Sequence, residues 1–210
     1  MSLLLDDNYS TVSRKAADGS GREELLYTHT PGSPVVLTDW SSDDVLCFWS
    51  DKITYALTLK GGGKAVALND GTFNVRGGRF SPDGRFLAYN SDESGRFQVY
   101  ARPFSLASIA ASPIAKGSAV STGQAIGGIF WRGDSKELFF LASPSQELMT
   151  VDVTTSPTFE AGTPRLLLKP PSPTLGPAQL SSIASRDGQR IVFLAQLPVV
   201  PTPAGTGAQK

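Results

Sequence analysis

Few patterns in this 210-residue chain are of a kind that could do covalent chemistry, and histidine and cysteine occur once each. His29, in Tyr27-Thr28-His29-Thr30-Pro31-Gly32, is the single histidine, so any mechanism that needs an imidazole base must use it. A serine hydrolase would pair that base with a nucleophile in a Gly-x-Ser-x-Gly elbow, and no such elbow occurs. Set among threonines ahead of Pro-Gly, His29 reads first as a surface or capping group. Gly61-Gly62-Gly63-Lys64 matches a phosphate loop only in part. The P-loop places Ser or Thr after its lysine, and here Ala65 follows. Asp6-Asp7-Asn8, Asn69-Asp70 and Ser91-Asp92-Glu93-Ser94 offer oxygens without the glycine and distal glutamate of a calcium loop. They read as solvated turn carboxylates, and a site assembled between elements stays open. Cys47 is the single cysteine, which excludes an intrachain disulfide framework and a cysteine-based zinc cluster. No metal, no cofactor and no catalytic residue is expected.

Composition points the same way. Lysine plus arginine number 19 and aspartate plus glutamate 19. That balance gives no support to nucleic-acid binding, which draws on a positive excess to release counterions from phosphates. No apolar run approaches the roughly 20 residues of a membrane helix. The opening Met1-Ser2-Leu3-Leu4-Leu5-Asp6-Asp7 is too short and too acidic for a signal peptide. The chain as written is expected to be soluble, cytoplasmic if complete and extracytoplasmic if cut from a membrane-anchored parent.

The elements that must position any site are declared by a repeat. Trp40–Trp49 (WSSDDVLCFW), Phe80–Tyr89 (FSPDGRFLAY), Trp131–Phe140 (WRGDSKELFF) and Ala184–Phe193 (ASRDGQRIVF) align without gaps. Each carries an aspartate at its fourth place: Asp43, Asp83, Asp134 and Asp187. The starts lie 40, 51 and 53 residues apart, the length of a four-stranded propeller blade with its loops. Pro82 presets a turn-like φ and Gly84 accepts a positive one. The aspartates are therefore expected to hold hairpin turns by accepting backbone amides. On the gapless alignment Cys47 and Trp49, Leu87 and Tyr89, Leu138 and Phe140, and Ile191 and Phe193 fall on one strand face. Trp40, Phe80 and Trp131 share one repeat position and are expected to pack blade against blade. Stacking a sugar or a peptide is the alternative use of such rings.

Third strands are expected at 52–59, 97–104 and 147–154, and fourth strands at 64–69, 118–122 and 164–169. The fold class is all-β, a propeller of four-stranded antiparallel blades. A lead (1–8) precedes the propeller (9–195), whose hairpins lie at 36–50, 76–90, 127–141 and 180–194. A Pro/Gly-rich tail (196–210) follows. The N-terminal region supplies only third and fourth strands, and the C-terminal region only a hairpin. Two architectures fit: four blades closed by pairing of the terminal halves, or an open arc of a larger ring.

The run FSPDGRFLAYNSDESGRFQVYARPF, from Phe80 to Phe104, resembles the PD40 (WD40-like, TolB-type) β-propeller repeat. Residues 14–26, 99–104, 130–142, 157–168 and 184–193 are similar, in this order, to the propeller that follows the kinase domain of many bacterial serine/threonine kinases. None of the kinase catalytic motifs is present. The turn Ser41-Ser42-Asp43-Asp44 departs from the family's Ser-Pro-Asp-Gly, which implies a looser hairpin. The resemblance implies a non-enzymatic module that binds an unknown protein, peptide or small ligand, as part of a larger bacterial signalling protein. The gating propeller of a prolyl-oligopeptidase-like peptidase, or a TolB-like periplasmic docking scaffold, are the alternatives. Propellers bind where inter-blade loops converge, here 28–38, 70–78, 122–128 and 169–180. His29, Asn74, Arg76 and Gln124 are the polar candidates in them.

Overall fold

The computed structural model describes residues 2–5, 10–60, 63–105, 107, 116–125, 127–156, 158–169, 182–185 and 189–193. Asp187, Ile191 and Phe193 as side chains, the loop 170–181 and the tail 196–210 lie outside what is described. Among the described residues the strands pair antiparallel and gather into five sheets. The first joins β1 (Ser2–Leu5), β2 (Thr11–Lys15) and β3 (Glu24–Thr28). The second runs β4 (Val36–Trp40), β5 (Val45–Ser50), β6 (Ile53–Thr58), β7 (Ala65–Ala67). The third runs β8 (Val75–Phe80), β9 (Phe86–Ser91), β10 (Gln98–Pro103), β11 (Ser118–Ala119). In the fourth, β12 (Phe130–Trp131), β13 (Glu137–Leu141) and β14 (Leu148–Thr154) follow in order, and β14 then pairs both β15 (Glu160–Ala161) and β16 (Arg165–Leu168). β17 (Ser182–Ala184) and β18 (Ile191–Phe193) form a hairpin.

The middle strands β5, β9 and β13 are buried on both faces, as in stacked propeller blades. Along β5, Val45 and Cys47 pack with Phe80 and Leu87 of the third sheet. The alternate residues Leu46 and Phe48 pack with Val12 and Val35 on the other side. Along β9, Leu87 turns back toward Cys47 while Phe86 and Ala88 turn forward to Trp131, Leu138 and Phe140. Period-2 alternation here sorts residues between two neighbouring sheets rather than between core and water. The shared repeat aromatics lie at these seams. Phe80 and Trp131 are buried, and the Trp131 indole Nε1 donates to the Arg79 carbonyl at 3.1 Å. Trp40 packs against the cluster between the first and second sheets.

The structure corrects the gapless alignment. Trp40 pairs with Leu46, whereas Phe80 pairs with Leu87 and Trp131 with Leu138. The Ser41–Val45 turn is thus one residue shorter than those holding Arg85 and Lys136. A one-residue difference exchanges the two faces of the following strand. Leu46, not Cys47, is the counterpart of Leu87 and Leu138, and Cys47 corresponds to Ala88. Nor is that hairpin looser. Asp44 at φ 60° repeats the left-handed backbone of Gly84 at 72° and Ser135 at 61°. Ser41 Oγ also accepts the Val45 amide at 3.1 Å.

At the N-terminus, Ser2–Leu5 pairs with Leu5↔Val12 through Ser2↔Lys15. β1 therefore occupies the β2 edge that closure by the C-terminal hairpin would need. Among the described residues β17 and β18 pair only with each other. The described sheets do not close into a four-bladed ring, which fits an open arc.

Candidate functional site at the channel mouth

β8 packs against both β4 and β12, so the first strands of three sheets line one axis. Two of these innermost strands are bulged, β4 between Leu37 and Asp39 and β8 between Arg76 and Arg79. Gly77 (φ 68°) and Gly128 (φ 62°) hold the same repeat position in left-handed backbone, where a side chain would be strained. Between the strands lies a hollow of about 70 Å³ bordered by Leu37, Thr38, Trp49, Gly77, Arg79 and Gly128.

Antiparallel meanders put the β3–β4, β7–β8 and β11–β12 connections at one end of the arc, with the β5–β6, β9–β10 and β13–β14 turns. That end is laced together. The Val75 amide donates to Lys52 O at 3.1 Å, Ala125 N to Phe97 O at 2.9 Å, and Ser143 N to Gln124 O at 2.9 Å. Asn90 clamps the next loop, donating to Ala125 O at 3.2 Å and accepting Gly127 N at 2.8 Å.

Three of the four candidates border this mouth. Arg76 sits with its guanidinium carbon 5.1 Å from the Trp49 ring centre and 5.4 Å from that of Phe97. Gln124 is exposed on the loop strapped to Phe97. Asn74 leads into β8, and its amide N and Nδ2 donate to Asp92 at 2.8 and 2.5 Å, which fixes the loop. His29 stands apart, between the first two sheets. Its Nδ1 lies 3.0 Å from the Tyr27 hydroxyl, and its ring packs against Phe48 and Tyr55. The sequence nominates neither Trp49, read there only as a strand-face residue, nor Phe97 for this site. They reach Arg76 from a neighbouring sheet and from the β9–β10 connection, a proximity only the blade packing reveals.

The channel carries two cations and one carboxylate along β4 and β8. Arg79 Nη1 donates to the Thr38 carbonyl and lies 3.9 Å from Asp39 Oδ1. Burial pushes the Asp39 carboxyl up, against the Phe80 amide (2.7 Å) and Arg79, which favour its charge.

The repeat aspartates lie at the opposite end. Asp83 accepts Ser81 Oγ at 2.5 Å and the Arg85 amide at 3.2 Å, and the Arg85 guanidinium grips it at 2.8 Å. Burial raises its carboxyl, but those hydrogen bonds outweigh burial and hold it below the usual carboxylate value. Asp134 accepts Lys136 N at 3.0 Å and Arg132 Nε at 2.8 Å, and is lowered chiefly by Arg132. Asp43 is exposed beside Gly84. The Asp83 amide donates to Ser135 Oγ at 3.1 Å, stitching two turns of successive blades.

A second cavity, about 270 Å³, lies between the second and third sheets, with Leu68, Phe73, Val75, Tyr89, Lys116 and Arg102 in its wall. Its polar lining already ties the sheets together. Thr54 Oγ1 donates to Val75 O at 2.8 Å and Arg102 Nη1 to Leu68 O at 3.0 Å, while Thr54 N donates to Asn69 Oδ1 at 2.9 Å within the second sheet. Burial pushes the Tyr89 phenol up to about 12 and the Cys47 thiol up to about 12, so neither is a nucleophile near neutrality. Among the described residues no three or more His, Cys, Asp or Glu gather as metal ligands, and no helix is long and apolar enough to cross a membrane.

No family model matches the chain, and no curated protein matches it. Among solved structures it is similar to TolB from Acinetobacter baumannii, with a TM-score of 0.61 and 15% identity over 91% of this chain and 45% of that one. The S511A mutant of puromycin hydrolase, complexed with PGG, gives 0.59 and 18% over 89% and 32%. A chain of the nidogen/laminin complex gives 0.55 and 11% over 79% and 60%. The chain thus spans about half the length of the TolB structure and less of the hydrolase. At these identities the likeness is one of fold: the chain is built as TolB-type and related β-propellers are.

Proposed function

We propose that the chain is a non-enzymatic propeller module that receives a peptide or protein segment at the channel mouth, a TolB-like docking scaffold in kind. The observation that carries this reading is that Trp49, which borders the axial hollow with Gly127 and Gly128, meets the Arg76 guanidinium, which also meets the Phe97 ring. Binding surfaces concentrate energy in aromatic and arginine anchors at the centre of an interface. Turn-face polar groups, by contrast, are occupied in holding the blades. The finer reading, that the arc serves a larger bacterial signalling protein such as a serine/threonine kinase, rests on the sequence runs resembling kinase-linked propellers. The prolyl-oligopeptidase alternative needs a hydrolase domain elsewhere in a longer protein; the likeness to puromycin hydrolase lends it fold-level support only.

Selection of peptides from a random library against the purified chain, followed by chemical-shift mapping of the winners, tests the proposal. Shifts are expected at Trp49, Arg76, Phe97 and 122–128. Winners that map to the turn face around Asp83 and Asp134, or a library that yields none, would overturn it.

A further inference from the structure

We infer that Arg76 is an anion anchor, and that the segment received at the channel mouth presents a carboxylate to it. The inference rests on the channel-mouth reading above and adds the chemistry of the ligand. Its basis is the contrast between the two arginines of β8. Arg79 is engaged by the Thr38 carbonyl and has Asp39 beside it. The Arg76 side chain, among the described residues, makes no hydrogen bond and no ion pair, and its Nε is sealed from solvent without a partner. Buried donors are nearly always satisfied in folded proteins, so one left unmatched needs a reason.

Two aromatic neighbours supply part of it. The Trp49 and Phe97 rings lie within reach of the guanidinium for cation–π attraction, which offsets some lost hydration and fixes the group's position. They offer it no acceptor. A guanidinium carries five donors in a planar fork that fits a carboxylate in two parallel bonds. With Nε closed off and no acceptor in the aromatic surroundings, the two Nη groups at the outer end of the fork are left to a ligand. The channel's own charge agrees: two arginines and one aspartate on β4 and β8 favour an anionic visitor. Of the acids in the adjoining loops, Asp70 accepts the Thr72 amide at 2.9 Å and Asp92 is committed to Asn74 at 2.8 and 2.5 Å.

The carboxylate could come from a peptide C-terminus or from an Asp or Glu side chain, and small probes separate the two. Hippurate, a benzoyl-glycine carboxylate, imitates a C-terminus. Hippuramide is its neutral counterpart of nearly the same shape, and acetyl-glutamate-amide carries its charge on a side chain. Each is titrated into the isotopically labelled chain while the Arg76 Nε–H and Trp49 indole resonances are followed. Hippurate or acetyl-glutamate-amide is expected to shift both resonances saturably, with hippuramide at least tenfold weaker. The tighter of the two acids names the source. Arg76→Gln, at an unchanged circular dichroism spectrum, is expected to reduce the acids to the hippuramide level. The wild-type comparison stands alone if that variant does not fold. Equal responses to hippurate and hippuramide would overturn the anchor while leaving the channel-mouth reading in place. Inorganic phosphate shifting Arg76 as strongly as the acids would overturn the carboxylate assignment. No saturable shift from either acid would overturn the inference, and selected peptides mapping elsewhere would take the wider reading with it.

Discussion

Gly78 and Cys47 offer a direct test of how the blades are joined. Gly78 sits on innermost β8, and a Cβ built there would collide with Cys47 Sγ of the preceding sheet and stand 3.3 Å from Leu87 Cδ1. Cys47 is fully buried, so its sulfur has nowhere to retreat. Overpacking of this kind costs about 1–3 kcal/mol, and a direct clash with a fixed sulfur places Gly78→Ala near about 2–3 kcal/mol. At about 2–4 °C per kcal/mol for a chain of this size, the melting temperature falls by roughly 4–12 °C. Cys47→Ala alone loses one buried heavy atom and leaves a small void, about 1–1.5 kcal/mol. Additivity would make the double variant the worst of the three. The structure predicts otherwise, because the new methyl occupies the space the sulfur vacated. Gly78→Ala with Cys47→Ala is expected within about 1 kcal/mol of wild type, a coupling of about 2 kcal/mol or more. Urea unfolding followed by tryptophan fluorescence measures all four proteins. The rate of thiol labelling in wild type and Gly78→Ala gives a second reading, since a raised, buried thiol reacts only when the seam opens. Additive effects, or unchanged labelling in a destabilised Gly78→Ala, would refute this account of the interface.

Other consequences follow from single groups. Trp131→Phe keeps the ring in the seam but deletes the Nε1 bond to Arg79 O; a loss of about 0.5–1.5 kcal/mol in urea unfolding is expected, and no loss would mean the bond is unimportant. Asp44→Gly relieves a left-handed non-glycine residue at φ 60° and should be neutral or stabilising by up to about 1 kcal/mol, whereas destabilisation would contradict the shared turn geometry. Asp83 has its folded-state pKa below the usual carboxylate value, so its contribution is present above that usual value and is lost as pH falls through the lower, folded one. Asp83→Asn should therefore flatten the acid limb of stability against pH, and an unchanged limb would count against the turn network.

The repeat was legible because turn chemistry and period-2 burial are local. Ser81-Pro82-Asp83-Gly84 announces its hairpin, and alternation across Leu87, Ala88 and Tyr89 reveals a strand. The register of β5 was not legible. Losing one residue from the Ser41–Val45 turn leaves a gapless alignment looking sound while it exchanges strand faces, and only the pairing of Trp40 with Leu46 exposes it. β1 was hidden for another reason: three leucines running into two aspartates show no alternation, and its pairing with β2 is a contact the local pattern does not encode. At the candidate site, loop class and polarity sufficed to nominate Asn74, Arg76 and Gln124. Trp49 and Phe97 join them through blade packing, and the same packing draws His29 into an aromatic cluster between the first and second sheets. Asp187 lies outside the described residues.

The claim that recognition happens at the channel mouth is tested most directly by the affinity of one selected peptide for two sets of variants. Arg76→Ala and Trp49→Ala are expected to weaken it at least about thirtyfold, as central arginine and tryptophan anchors do. Arg85→Ala and Arg132→Ala, on the turn face, are expected to leave it within about twofold. The reverse pattern, with turn-face variants weakening binding and Arg76→Ala and Trp49→Ala leaving it intact, would contradict the account.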